Sequence, residues 1–337
     1  MFLKKTYIIA EVGINHNGNF DNAKKLILAA KKCGASAVKF QIYIPEEVVT
    51  NELKMATYQK KNLRSKKLKM IDMIKKYELS QLQHKKLFLF AKKNKIDFIS
   101  SAFDLNSLEF LIRDLNLKII KIPSGEITNY PYLKIIAKTK KKVILSTGMS
   151  NIKEIKQAVK VLTSEKLPRK NLYILHCNTA YPTPYKDVNL NVINQLKKDL
   201  KLPIGYSDHS LGVEVSVAAV SLGAIIIEKH FTLNKNWEGP DQKSSLDIKE
   251  FENLVKSIRN IEESLGSKIK KITKSEKKNL FYARKSIVAK KNILKGEKYS
   301  NENLTIKRPA GGLSPMIWKK LLNKKAKFNF NKNDKIR

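Results

Sequence analysis

The sequence predicts an α/β protein, a closed (β/α)8 TIM barrel followed by a small β-rich domain, and three observations carry that reading. Short β-branched apolar runs alternate with amphipathic stretches of 10 to 15 residues, the pattern of repeated βα units. Eight such runs fall within about 265 residues, the size of a closed barrel. Beyond Gly266 the texture changes to short strands and turn signals with no long helical pattern. An open doubly wound sheet is the alternative reading of the alternation.

Taken in order, the first strand is expected at residues 7–13 (YIIAEVG), and the helix DNAKKLILAAKKCG follows, with Gly34 as its C-terminal stop. The other strands are expected at 35–41, 97–101, 118–122, 142–147, 172–177, 203–207 and 224–230. The last helix, DIKEFENLVKSIRNIEESLG, ends at Gly266. SKIKKITKSEKKN is polar and lysine-rich without apolar periodicity, which makes it a linker. The domains are therefore placed at 1–265 (barrel), 266–282 (linker) and 283–337 (small β-rich domain).

Composition narrows the function classes. A chain of 337 residues with 42% hydrophobic residues can bury a sizeable core. Cys33 and Cys177 form neither a disulfide framework nor a zinc spacing, which fits a reducing cytosol. No run reaches membrane-span length and MFLKKTYIIAEVG lacks a signal-peptide pattern, so a soluble, cytoplasmic protein without a membrane partner is expected. The net charge of +37 invites a nucleic-acid reading. Against it, the sequence holds 60 lysines and only seven arginines, scattered through every segment, whereas phosphate and base recognition favours the arginine fork. A compositional bias explains the surplus and no nucleic-acid partner is expected, although the charge can still attract anionic small molecules. No GxGxxG or Walker spacing occurs.

Polar residues gather at the expected strand ends, where barrels of this class keep their chemistry. Glu11 ends the first strand and is followed by Asn15 and His16; Lys39 and Gln41 end the second. Lys121, Ser124 and Glu126 follow the fourth, Ser146 and Thr147 the fifth, and His176, Asn178 and Tyr181 the sixth. Ser207 and His209 end the seventh, Glu228 and His230 the eighth. Period-two alternation puts Lys39 with Gln41, and Glu228 with His230, on one face of their strands. His209 and His230 close adjacent strands, and two imidazoles without thiolates suit a metal with open positions, such as Mn²⁺; the plainer alternative is a hydrogen-bonding role at the mouth. Lys39 and Lys121, with Ser124 and Ser146, form a cradle for a phosphate and a carboxylate, or else lysines paired with Glu11 or Glu126. Glu126, in the turn KIPSGE, is the proton-transfer candidate. His84, in LSQLQHKKLFLF, is expected at the surface.

AEVGINHNGN, AVKFQ, KIPSGEITNYPYL, ILSTGM, LHCNTAYPTPYKDVNL, GYSDHS, IEKHFTL, EGPD and KRPAGGLSP resemble, in order and spacing, the N-acetylneuraminate (sialic acid) synthase family over nearly the whole chain. The resemblance implies a TIM barrel joined to an antifreeze-like (SAF) domain in a domain-swapped homodimer. It implies condensation of phosphoenolpyruvate with an N-acylated hexosamine, with a divalent metal, Mn²⁺ or else Mg²⁺ or Co²⁺. By that resemblance His209 and His230 are the metal ligands, and Lys39, Gln41, Lys121, Ser124 and Ser146 hold phosphoenolpyruvate. Glu126 lies near the reacting carbons, Glu11, Tyr181 and Asp241 contact the sugar, Arg308 reaches the acyl group from the partner chain, and Asn178 joins the substrate contacts. Ala180 stands where many members have Glu, and Ala310 interrupts the RPG-x-G pattern; both bear on the sugar more than on the reaction. The expected product is N-acetylneuraminate from N-acetylmannosamine, with N,N'-diacetyllegionaminate from a 2,4-diacetamido-trideoxyhexose as the alternative. A catalytically dead basic binding protein and an aldolase using Lys121 or Lys229 as an imine nucleophile are the readings from other classes.

Overall fold

The structure, a computed structural model, describes residues 5–50, 52–63 and 69–337. Eight parallel strands close into a barrel in sequence order. They are β1 (Tyr7–Gly13), β2 (Ala37–Ile42), β3 (Asp97–Ala102), β4 (Ile119–Ile122), β5 (Lys142–Ser146), β6 (Leu172–Cys177), β7 (Ile204–Asp208) and β8 (Ile226–His230). Closure is made by β8 pairing with β1, which sets Glu11 opposite His230. Every expected strand forms, each end within two residues of its sequence position.

The closed ring makes each strand bury both faces, hence the near-continuous apolar runs. Outward residues such as Ile8, Val38, Ile120 and Ile227 pack under the helices, while Ile9, Ile99, Ile144, Leu175 and Ile226 point inward and fill the lower barrel. Full burial of one such side chain contributes about 1.5–3 kcal/mol. Gly205 in β7 is a required gap in this plug. A Cβ there would lie 2.6 Å from both the Ile226 carbonyl oxygen and Leu175 Cδ2.

The helices begin and end where their caps dictate. Phe20–Lys32 is capped by Asn19, whose side chain accepts from the Asn22 N–H, and the chain turns away at Gly34 with φ +84°. Ile248–Leu265 starts with a capping box in which Asp247 and Glu250 exchange side-chain and backbone bonds at 2.9 Å. Between β2 and β3 an insertion carries three short helices, Pro45–Val48, Thr57–Asn62 and Met70–Lys76. It has its own small core, with Met55, Met73 and Tyr77 gathered against Ile14 and Tyr43.

His84 corrects one expectation. It is 0% exposed, wedged between Phe40 and Phe98 with ring centroids 6.4 and 6.3 Å away. The helix Gln81–Lys93 turns His84, Leu87 and Ala91 toward the barrel, so the residue lies on the apolar stripe rather than the lysine-rich face.

The chain divides after Gly266, and Ser267–Arg337 is a second compact unit. Its strands β9 (Ser286–Ala289) and β10 (Leu304–Lys307) pair antiparallel. Ile287, Ile293, Tyr299, Leu304, Phe330 and Ile336 form a core of its own. The segment read as a linker carries two short helices, Lys274–Lys277 and Asn279–Ala283, the first capped by Thr273.

Candidate active site

Strand alternation builds the site directly above the apolar plug. One step further along the same inward rows, Ile9 gives way to Glu11, Ala37 to Lys39, Ile99 to Ser101, Ile119 to Lys121, Ile144 to Ser146 and Ile226 to Glu228. Glu11, Lys39, Lys121 and Glu228 are only 2%, 4%, 2% and 5% exposed. Burial of four charges is tolerable because they alternate in sign. Lys39 Nζ lies 2.9 Å from Glu11 Oε2 and 3.7 Å from Glu228 Oε1, and Lys121 Nζ lies 3.8 Å from the same Glu228 oxygen. Lys121 also donates to Ser146 Oγ at 2.7 Å, Ser207 to Glu228 at 3.1 Å, and Gln41 to Glu11 at 3.2 Å.

Burial pushes the Glu11 carboxyl up to about 7, with Lys39 pulling against it. For Glu228 burial acts in the same direction, but Lys121 and Lys39 outweigh it and hold the carboxyl below its usual range. Burial lowers the Lys121 ammonium; it also opposes charge on Lys39, which Glu11 and Glu228 nevertheless keep above its usual value.

His209 follows β7 and His230 ends β8, with ring centroids 5.4 Å apart. His209 Nδ1 is 2.5 Å from the Asn178 carbonyl oxygen, and its Nε2 is 2.9 Å from the Tyr181 hydroxyl. Cys177 Sγ lies 3.7 Å from the same Nδ1. Burial disfavours the imidazolium of His209, yet Cys177, the Asn178 carbonyl and Glu228 raise its pKa overall. His230 goes well below the usual value through burial and the neighbouring charges of His209, Lys39 and Lys229. Its Nδ1 is buried without a hydrogen-bond partner among the described residues.

Around this centre the loops supply the rim. Ser124 Oγ accepts from the Gly148 N–H at 3.0 Å, and a Cβ on Gly148 would come within 2.5 Å of Thr179 Cγ2, so the two loops meet only over glycine. Asn178 spends its side chain on its own loop, accepting from the Ala180 N–H at 2.8 Å. Asp241, in the loop after β8, is buried and its carboxyl is pushed up to about 6 by burial, with His209 opposing.

Glu11, Lys39, Gln41, Lys121, Ser146, Tyr181, His209 and His230 therefore share hydrogen bonds, ion pairs or ring contacts at one mouth. Glu126 stands apart from the lysines. Its carboxylate accepts from Asn129 Nδ2 at 2.6 Å beside Asp104, and no described lysine lies within ion-pair distance. Arg308 is exposed in the second unit.

The NeuB family profile matches residues 26–270 and the SAF domain profile residues 284–337. The chain belongs to the NeuB family. It is 50% identical over 335 residues, 99% of this chain and 100% of the other, to an N,N'-diacetyllegionaminic acid synthase of Campylobacter jejuni. It is 42% identical to the N,N'-diacetyllegionaminic acid synthase of Legionella pneumophila, over 96% of this chain and 91% of the other. The crystal structure of the N-acetylneuraminic acid (sialic acid) synthetase of Leptospira borgpetersenii, in complex with citrate, superposes with a TM-score of 0.70 at 33% identity, covering 82% of this chain and 90% of that one. As a NeuB-family protein the chain is a sialic-acid-type synthase, an enzyme.

Within this NeuB barrel, sequence reasoning gave no role to Glu228, although it bridges both lysines. Its signal was present, because it shares the inward face of β8 with His230. The sequence marks Cys177 only as a thiol outside any disulfide or zinc spacing; its contact with His209 joins two strands and has no local signature. Lys229, considered as an imine nucleophile, points outward instead. It is bound at 2.8 Å to Asp208 and at 2.6 Å to the Ser210 carbonyl oxygen. No described helix is long and apolar enough to cross a membrane.

Proposed function

We propose that this NeuB-family enzyme condenses phosphoenolpyruvate with a 2,4-diacetamido-trideoxyhexose to give an N,N'-diacetyllegionaminate-type nine-carbon acid and phosphate. The observation that carries the choice of sugar is the likeness to two legionaminic acid synthases, at 50% and 42% identity, against 33% for the N-acetylneuraminic acid synthetase. N-acetylneuraminate, the sugar acid first expected from the sequence, becomes the second reading. Ala180 supports the choice: it offers no carboxylate to a sugar hydroxyl at the rim, which suits a deoxygenated substrate.

The chain's own groups divide the work. Lys39 and Lys121 are point charges able to hold the carboxylate and phosphate of phosphoenolpyruvate, with Ser146 orienting Lys121 from 2.7 Å. Seated there, C3 of the enol attacks the sugar's aldehyde carbon, and the aldehyde oxygen becomes a hydroxyl. Water adds at C2, and the C2–O bond to phosphate breaks as the keto group forms. The water's proton needs a base, for which Glu126 on the β4 loop is the assigned group and Glu11, held near neutrality by burial, the competitor. Gln41 and Ser124 stay with the phosphoenolpyruvate contacts, while Tyr181 and Asp241 are assigned to the sugar and Asn178 joins the substrate contacts.

His209 and His230 fit a divalent ion, Mn²⁺ or else Mg²⁺ or Co²⁺, as a pair rather than a full cage. Among the described residues no three His, Cys, Asp or Glu side chains are grouped to hold a metal. The pair nevertheless offers an unpartnered buried Nδ1 on His230, and on His209 an Nε2 whose ring is fixed through Nδ1 at the Asn178 carbonyl. When bound, the ion supplies Lewis-acid polarisation of the sugar's aldehyde oxygen. We carry over from the family resemblance a cytoplasmic, domain-swapped homodimer in which Arg308 of the partner subunit reaches the acyl group.

Phosphate release from phosphoenolpyruvate with each sugar, with and without EDTA, tests the reading. A kcat/KM at least about tenfold higher for the diacetamido sugar, abolished by chelation, is expected. Preference for N-acetylmannosamine overturns the sugar assignment, and full activity in EDTA overturns the metal. In the same assay Glu126→Gln should flatten the pH profile; if Glu11→Gln does so instead, the base is Glu11.

A further inference from the structure

A large cavity of the barrel unit lies away from the mouth. It has a volume of about 1160 Å³ and opens where β3, β4, β5 and β6 begin, the end of a parallel barrel opposite the catalytic strand ends. Its floor and walls are apolar, with Phe88, Phe98, Leu115 and Leu117 among them, and Phe88 meets Phe98 edge to face at 5.9 Å. Six ammonium-bearing side chains surround it, Lys92, Lys95, Lys118, Lys140, Lys141 and Lys142. The one carboxylate among the lining residues, Asp97, already accepts from the Tyr7 hydroxyl at 2.7 Å.

Six positive charges against one make the opening a polyanion site, and the phenyl-lined interior asks for a flat apolar body attached to that charge. Lysines act on phosphate as point charges from several directions, so a flexible phosphate chain satisfies this ring better than a single carboxylate would. The lysine-rich composition alone does not account for the arrangement. Lysines make up 60 of the 337 residues of the chain but six of the 16 that line this cavity.

We propose that this basal cavity is a second ligand site, separate from the catalytic mouth, that binds an organic polyphosphate with an aromatic body, of the class of the nucleoside di- and triphosphates. The ring system lies on the phenylalanine wall and the phosphates face the lysine rim. No bond is made or broken there. The site stands whichever sugar the mouth accepts.

The test is calorimetric titration of the full-length protein with metal-free ATP and, separately, with inorganic tripolyphosphate, at about 0.15 M salt so that diffuse attraction is screened. Wild type should bind ATP at least about tenfold more tightly than tripolyphosphate, and excess phosphoenolpyruvate should not displace it. Lys118→Glu with Lys140→Glu, both exposed and outside the catalytic machinery, should weaken ATP at least about tenfold, whereas Lys290→Glu with Lys291→Glu in the second unit should change it less than about twofold. If the basal reversal disturbs folding, Lys118→Gln with Lys140→Gln should still weaken ATP several-fold. Equal loss in the two charge-reversed pairs, equal affinity for tripolyphosphate, displacement by phosphoenolpyruvate, or no binding at millimolar ATP each overturns the proposal.

Discussion

The two ends of one barrel handle the same side chain in opposite ways. At the mouth, Lys39 and Lys121 are buried and each has a carboxylate within 3.8 Å. At the base, Lys118 and Lys140 are exposed, and among the described residues neither has a carboxylate at ion-pair distance. Two lysines against two glutamates make the mouth neutral in itself, so an entering anion must displace internal pairings. The base holds a standing surplus. Charge at the mouth is therefore part of the fold, and charge at the base is available to whatever arrives from solution.

The contrast breaks first at Lys39. Replacement by Met leaves Glu11 and Glu228 short of a cation in a water-poor layer and should cost about 3–5 kcal/mol of unfolding free energy, read by denaturant titration at neutral pH. The cost should shrink as pH falls toward about 7, because without the Lys39 ammonium Glu11 takes up its proton at a higher pH than the value near 7 it has beside that lysine. A loss independent of pH would mean that packing, not charge, is what Lys39 supplies.

A buried base without a counter-charge behaves in the reverse sense. His84 has its pKa pushed down to about 4 and His16 to about 3, both chiefly by burial. The unfolded chain takes up those protons near pH 6.5 while the folded one refuses them, so stability is intact above pH 6.5 and is lost as pH falls toward 4. His84 alone accounts for roughly 3 kcal/mol of that acid limb, and His84→Leu should flatten it. Unchanged steepness would show that the acid sensitivity comes from elsewhere.

Smaller effects sharpen the comparison. Gly205→Ala should cost about 1–3 kcal/mol, because the new methyl meets Leu175 and a backbone carbonyl in the plug. Lys118→Gln and Lys140→Gln should each stay within about 0.5 kcal/mol of wild type. A large loss at either would place those lysines in the fold after all.

Much of this was legible in the sequence because a closed parallel barrel buries both faces of each strand and puts chemistry at fixed ends. Alternation put Lys39 with Gln41 and Glu228 with His230 on one face of their strands, and strand-end position marked Lys121. The misses share one physical cause, that a linear pattern records spacing along the chain and not encounters across it. The lysines around His84 hid which side of the helix faced the core. The basal cavity joins residues from Phe88 to Asn171, each unremarkable in its own segment.

The inward isoleucines, with Leu175 lodged over Gly205, leave the barrel without a bore. Nothing dissolved at the base can filter through to the reacting carbons. If occupancy below is ever felt above, the signal has to be mechanical, carried by the staves themselves, β4 and β5 among them, since β4 runs from Ile119 at the cavity past Lys121 and β5 from Lys142 at the lysine rim to Ser146.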